Sequence, residues 1–161
     1  MDNPLKIFAL MWRPRRPSKL SDMPAVRNTF WLRKGYAALT FFGTIITATD
    51  EETEHMNAGD NAMKRHEMIH LRQAQSTGDS WLLFYVRYLW YYLRALPLNR
   101  RARHAAYRLN PFEIEAYAHM YDAGYLDRCR EGANEWRRYA KMKPRERLDR
   151  YKNHTLTTTI H

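Results

Sequence analysis

Asn61-Ala62-Met63-Lys64-Arg65-His66-Glu67-Met68-Ile69-His70-Leu71-Arg72-Gln73-Ala74-Gln75-Ser76 reads as one helix, with Asp60 placed to cap its start and Gly78 to stop it. Residues four apart on a helix stand about 40° apart around its axis, so His66 and His70 project from one face, one turn apart. Two imidazoles in that relation can grip one metal ion. Glu67 lies on the flank of that face, where its carboxylate can reach a water at the metal and take its proton. The His-Glu-x-x-His spacing thus encodes a ligand pair and a base, the residue set of zinc peptidases. A working site of that kind also needs a third ligand downstream and a strand able to hold a peptide.

Upstream, Phe30 to Thr49 turns β in composition. Trp31, Tyr36, Leu39, Phe41, Phe42, Ile45 and Ile46 are interleaved with threonines, with Gly35 and Gly43 among them, which predicts a strand or hairpin. Asp50, Glu51, Glu52 and Glu54 read as a polar loop. Downstream, Asp79 or Ser80 is placed to cap a helix from Trp81 to Leu96, closed by Pro97. Its aromatic residues are spread round the axis, so it is either deeply packed or lies at an interface; Arg87 and Arg94 within about 16 residues favour a scaffold helix over a membrane element. Leu98 to Leu109 reads as a basic connection. Asn110-Pro111 opens a third helix to about Asp122, ended by Gly124. A fourth helix is expected from Leu126 or Asp127 to Met142, with Pro144 interrupting it and a flexible tail from Thr155 to His161. These elements predict an α+β fold, mainly α: a small domain with a short strand or hairpin ahead of the motif helix and three further helices.

The segment Asn110-Pro111-Phe112-Glu113-Ile114-Glu115-Ala116-Tyr117-Ala118-His119 resembles the third-ligand helix of the thermolysin-type zinc peptidases, the gluzincins. Together with the strand from Tyr36 to Ala48 and the motif helix with Gln73 after it, it makes the chain similar to small gluzincin proteins of bacterial and phage genomes. The resemblance covers roughly residues 30 to 123, and it implies Zn2+ held by His66, His70 and one glutamate of this helix. Glu115, with Ala118 and His119 at +3 and +4, matches the family pattern best, and His119 would hydrogen-bond a ligand imidazole. Glu113 is the alternative; it also stands three residues after Asn110, where a capping-box carboxylate reaches back to the cap amide, and that competing role favours Glu115. The other histidines, His55, His104, His154 and His161, have no partner at ligand spacing.

The chain has 161 residues, of which 45% are hydrophobic and 14% aromatic, enough for one packed core. Three segments follow from the pattern: an irregular basic arm over 1–29, a zincin-like metal-binding domain over 30–123, and a basic helix and tail over 124–161, either part of that domain or an appendage. Cys129 is the single cysteine, which excludes an internal disulfide and any zinc site built on a cysteine pair. A reducing, cytoplasmic setting or an intracellularly assembled complex is the expectation. No apolar run reaches the ~18 residues of a spanning helix, and Ile7 to Trp12 is too short for a signal sequence.

With 27 Lys and Arg against 17 acids the formal charge is +10, which reads either as a solvated basic surface or as one that attracts an acidic protein, nucleic acid or anionic lipid. No nucleic-acid-binding motif accompanies it. The expected activity is hydrolysis of an extended peptide or protein substrate, with Glu67 as general base and an oxyanion donor from among Tyr107, Tyr117 and Arg108. The alternative expectation is a weak or inactive zinc-fold assembly protein of phage-related type that uses its basic surface and aromatic helix within a larger complex.

Overall fold

The computed structural model describes residues 25–27, 38–98, 103–147 and 149. Most of the expected arm, the first part of the expected strand region, and the tail lie outside them. The described residues form a small three-stranded sheet and a larger helical part, the α+β, mainly α class that the pattern predicts.

Two strands, β2 (Ala38–Phe41) and β3 (Thr44–Thr47), make the expected hairpin, with Leu39 opposite Ile46 and Phe41 opposite Thr44. Its two loop residues, Phe42 and Gly43, have φ of 49° and 82°, the sense of backbone twist that a two-residue hairpin needs. Phe42 bears the unfavourable φ of a bulky residue because its ring packs edge-on against Phe41, Trp81 and Tyr85 and its amide donates to Tyr85 Oη at 3.1 Å. A third strand, β1 (Ala25–Arg27), arises within the stretch expected to be irregular and pairs parallel to β3. The order β1-β3-β2 leaves β2 at the sheet edge among the described residues.

The expected acidic loop is instead a helix, α1 (Asp50–Asn57). Thr49 Oγ1 accepts from the Glu52 amide at 3.1 Å and the Glu52 carboxylate accepts from the Thr49 amide at 3.0 Å, a complete capping box. The motif helix, α2, runs from Ala62 to Ser76, and its cap is Asn61, not Asp60. Asn61 Oδ1 takes the Lys64 amide at 2.8 Å, while Asp60 pairs with Arg65 at 2.6 Å. After the Gly78-Asp79 turn, Ser80 caps α3 (Trp81–Ala95), which passes into a 3₁₀ turn at Leu96–Leu98.

The basic connection contains a further helix, α4 (Arg103–Arg108), and the helix expected after Asn110-Pro111 is α5 (Pro111–His119). The expected fourth helix is divided into α6 (Tyr125–Arg128) and α7 (Trp136–Lys141). Gly132 causes the break: its φ is 131°, and a Cβ there would stand 3.0 Å from the Ser76 amide nitrogen, so the chain must pass close against the end of α2. Ala133 then donates its amide to the Arg72 carbonyl at 3.0 Å.

Tyr125, Leu126, Ala133 and Trp136 share one core with Met68, Ile69, Trp81 and Phe112, so residues 125–136 are packed into the fold that carries the motif. Trp81 and Phe112 are fully buried, each contributing about 1.5–3 kcal/mol by leaving water. Ala116, also fully buried, lets α5 approach α2 closely. No described helix is long and apolar enough to cross a membrane.

Candidate metal centre

His66 and His70 are buried on one face of α2, as their spacing requires, with ring nitrogens Nε2 3.2 Å apart. The glutamate that meets them is Glu113. Its Oε2 lies 3.2 Å from His66 Nε2, and its Oε1 lies 3.3 Å from His70 Nε2. Donor atoms on a tetrahedral ion with bonds of about 2.0–2.1 Å stand about 3.3 Å apart, so the spacing suits an ion between them. Two imidazoles and a carboxylate are an established zinc donor set. Glu113 Oε2, although buried, has no aligned hydrogen-bond donor among the described residues, a cost that coordination would remove. The residues present therefore fit the ion.

The expectation that Glu115 closes the site does not match this geometry. Glu115 is fully buried, but its carboxylate is turned away and accepts from Gln73 Nε2 and Tyr125 Oη, each at 2.7 Å, and from the Glu135 amide at 2.8 Å. Residues two apart on a helix point about 200° apart, so the two carboxylates cannot both reach the imidazoles: Glu113 meets His66 and His70, and Glu115 meets Gln73 further along α2. The capping role that counted against Glu113 is also absent. Asn110 caps α5 by accepting the Phe112 amide at 3.2 Å, which leaves Glu113 to accept from Tyr88 Oη at 2.7 Å and to face the histidines.

His119 likewise takes no part. Its ring stacks on Tyr125 at a centroid distance of 3.7 Å and lies 3.1 Å from Glu135, away from either ligand imidazole.

Gln73 does what was expected of His119. Its Oε1 accepts from His70 Nδ1 at 2.8 Å, which in the neutral ring directs the Nε2 lone pair toward His66 and Glu113. Gln73 is itself held by donating to the Phe112 carbonyl at 2.9 Å and to Glu115, so Glu115 supports the site at one remove. Its spacing, three residues after His70 on the same helix, is a sequence signal for this contact. The His66 ring packs against Tyr117 at 4.5 Å between centroids.

Glu67 is buried beside the histidines, and its Oε2 accepts from Thr40 Oγ1 at 2.5 Å. Thr40 thereby ties the base to strand β2. The Thr40 carbonyl accepts from Tyr85 Oη at 3.1 Å, so it points away from β3, and strand alternation turns the amide and carbonyl of Ala38 toward the same outer edge. A cleft of about 290 Å³ follows that edge. It is lined by Ala38, Leu39 and Thr40 of β2, Glu67 and His70 of α2, Phe84, Tyr85, Tyr88, Leu89 and Tyr92 of α3, and Tyr107 and Glu113.

Electrostatics bind the cluster together. Burial disfavours the imidazolium form of His70, but the Glu113 carboxylate outweighs it by charge and hydrogen bond, Glu67 and Gln73 add to this, and the pKa is raised to about 9. Glu113 shows the reciprocal effect: burial alone would raise its pKa, and the two histidines hold it well below the usual carboxylate range. Tyr107 keeps its proton because burial, then the nearby Glu113 charge, oppose ionisation. Among the three residues suggested as oxyanion donors, Tyr107 is the one in the cleft lining; Tyr117 packs on His66, and Arg108 lies over the Tyr117 ring at 5.6 Å.

Compared with protein-family models, with curated proteins and with solved structures, the chain matches none.

Proposed function

We propose that this chain is a zinc-dependent endopeptidase of the gluzincin type that acts on an extended peptide. The observation that carries the reading is the convergence of His66, His70 and Glu113 from two helices into one buried donor set, with Glu67 beside it at the cleft. Zinc held by those three residues would polarise a carbonyl and make water acidic enough to attack near neutral pH.

The protein's own groups account for the remaining needs of peptide hydrolysis. The outer edge of β2 offers the Ala38 amide and carbonyl to an extended substrate, which would add as a further strand and lie along the cleft. Glu67 takes a proton from the attacking water and later gives it to the leaving amine. Thr40, donating to Oε2 of that carboxylate, fixes its direction and links the base to the strand that holds the peptide. Tyr107, a neutral hydroxyl in the cleft wall, is the donor for negative charge developing on the carbonyl oxygen. Gln73 keeps His70 in the ligating tautomer.

The test pairs metal analysis with cleavage of a peptide library by the purified full chain. About one zinc per chain is expected, retained in Glu67→Gln, with cleavage by the wild type and a loss of at least ~100-fold in the variant. Equal cleavage by both proteins refutes the role of Glu67. Zinc retention with no cleavage by either favours the alternative, a zinc-fold assembly protein without catalysis.

A further inference from the structure

The outward face of α3 is apolar. Of the residues that this 15-residue helix exposes, six are Leu82, Leu83, Val86, Leu89, Trp90 and Leu93, and the other two are Arg87 and Arg94. Val86, Trp90 and Leu93 each leave half or more of their surface to solvent, at 57%, 58% and 50%. At 100° per residue the six apolar side chains fill an arc about 120° wide, and both arginines fall on one border of it. The opposite side, with Trp81 and Phe84, is built into the core.

An exposed apolar arc of this size on a surface helix marks a docking face. Its charge indicates the occupant. The helix has no acidic residue, the sequence after it continues Arg100, Arg101 and Arg103, and the whole chain carries +10. Pairing two copies through this face would bring Arg87 and Arg94 of two strongly basic chains together with no acid on either helix to meet them. A folded acidic partner would match the arginines but not a Leu-rich arc that also exposes Trp90. A bilayer with anionic headgroups matches both: acyl chains receive the arc, and phosphates lie at the depth of the bordering arginines. The helix is about 22 Å long, too short to span the ~30 Å hydrocarbon layer, and suits a position along the interface.

We propose that α3 docks this protein on the surface of an anionic membrane, with Leu82, Val86, Leu89, Trp90 and Leu93 entering the headgroup–acyl boundary and Arg87 and Arg94 at the phosphates. Leu89 belongs both to this face and to the cleft wall, so docking places the cleft mouth beside the lipid. The proposal does not depend on the metal centre or on catalysis.

The full chain is tested by co-sedimentation with vesicles of phosphatidylcholine alone and of phosphatidylcholine with roughly one-quarter phosphatidylglycerol. Binding to the anionic vesicles is expected, with a loss of about tenfold or more in a Val86→Glu, Leu93→Glu double variant and a weaker loss in Arg94→Gln. Both glutamates replace exposed side chains, and an unchanged circular dichroism spectrum and Tm verify the fold. Binding by the double variant equal to wild type would assign the effect to the general basic surface and overturn the proposal. So would absence of binding to both vesicles, a dimer that the double variant dissolves in the absence of vesicle binding, or binding to polyglutamate in place of vesicles. A second readout needs no charged variant: brominated lipid should quench wild-type tryptophan fluorescence and quench Trp90→Phe less, and equal quenching of the two refutes insertion.

Discussion

Glu113 and Glu115 are two residues apart on one helix, both fully or almost fully buried, and the geometry gives them opposite consequences when each is replaced by alanine. Glu115→Ala removes an acceptor shared by Gln73, Tyr125 and the Glu135 amide. A buried donor left unsatisfied costs about 1–3 kcal/mol; with partial relaxation, three of them amount to roughly 3–6 kcal/mol, a large fraction of a domain's total stability. Zinc binding should fall by no more than about 10–100-fold, because Gln73 keeps the Phe112 carbonyl as an anchor and can still orient His70. Glu113→Ala removes one of the three proposed zinc ligands, so loss of zinc is its larger effect; in the metal-free protein it also takes the carboxylate from Tyr88 Oη and from the His70 imidazolium. Urea unfolding of the metal-free proteins, together with zinc titration against a chromophoric chelator, separates the two effects. If Glu115→Ala releases zinc while keeping its urea midpoint, or Glu113→Ala binds zinc as wild type does, the assignment of ligand and support is wrong.

Three further predictions concern the groups around that pair. Thr40→Val should keep zinc and lower kcat by about tenfold through loss of the hydrogen bond that aligns Glu67, with Thr40→Ser restoring it; steady-state kinetics decide, and an unchanged kcat removes Thr40 from the machinery. Because His70 in the metal-free protein has its pKa raised to about 9 above an ordinary 6.5, its stabilising contribution is complete below pH 6.5 and is lost as pH rises through 9. Zinc uptake at pH 7 should therefore release about one proton from this imidazolium, and less at pH 10; calorimetry in buffers of different ionisation enthalpy measures it, and a pH-independent release contradicts the pairing with Glu113. Cys129, whose thiol is pushed up to about 11 by burial and further by Glu115 against the opposing pull of Arg72, should be about a thousandth thiolate at pH 8. Native protein should then be alkylated far more slowly by iodoacetamide than protein in urea, as mass spectrometry would show, and equal rates would refute its burial.

What the sequence could disclose divides by the range of the interaction. The one-turn spacing of His66 and His70, the threonine-rich hairpin and the Asn110-Pro111 helix start are local rules, and all reappear in the structure. Helix α1 was equally legible, because Thr49 and Glu52 have capping-box spacing; the density of acids read as a loop, whereas acids in a first turn favour a helix. The break between α6 and α7 was less so, since only the contact between Gly132 and the end of α2 distinguishes a tolerated helical glycine from one with positive φ. The choice between Glu113 and Glu115 lay beyond any local rule. Both positions fit a ligand pattern, and what separates them is the set of donors brought from elsewhere: Tyr88 to one, Gln73, Tyr125 and the Glu135 amide to the other. Glu115 satisfies three donors that tie α2, α6 and the start of α7 to α5, so it carries the fold. Glu113, left with one tyrosine and two imidazoles, is the carboxylate with capacity for a metal.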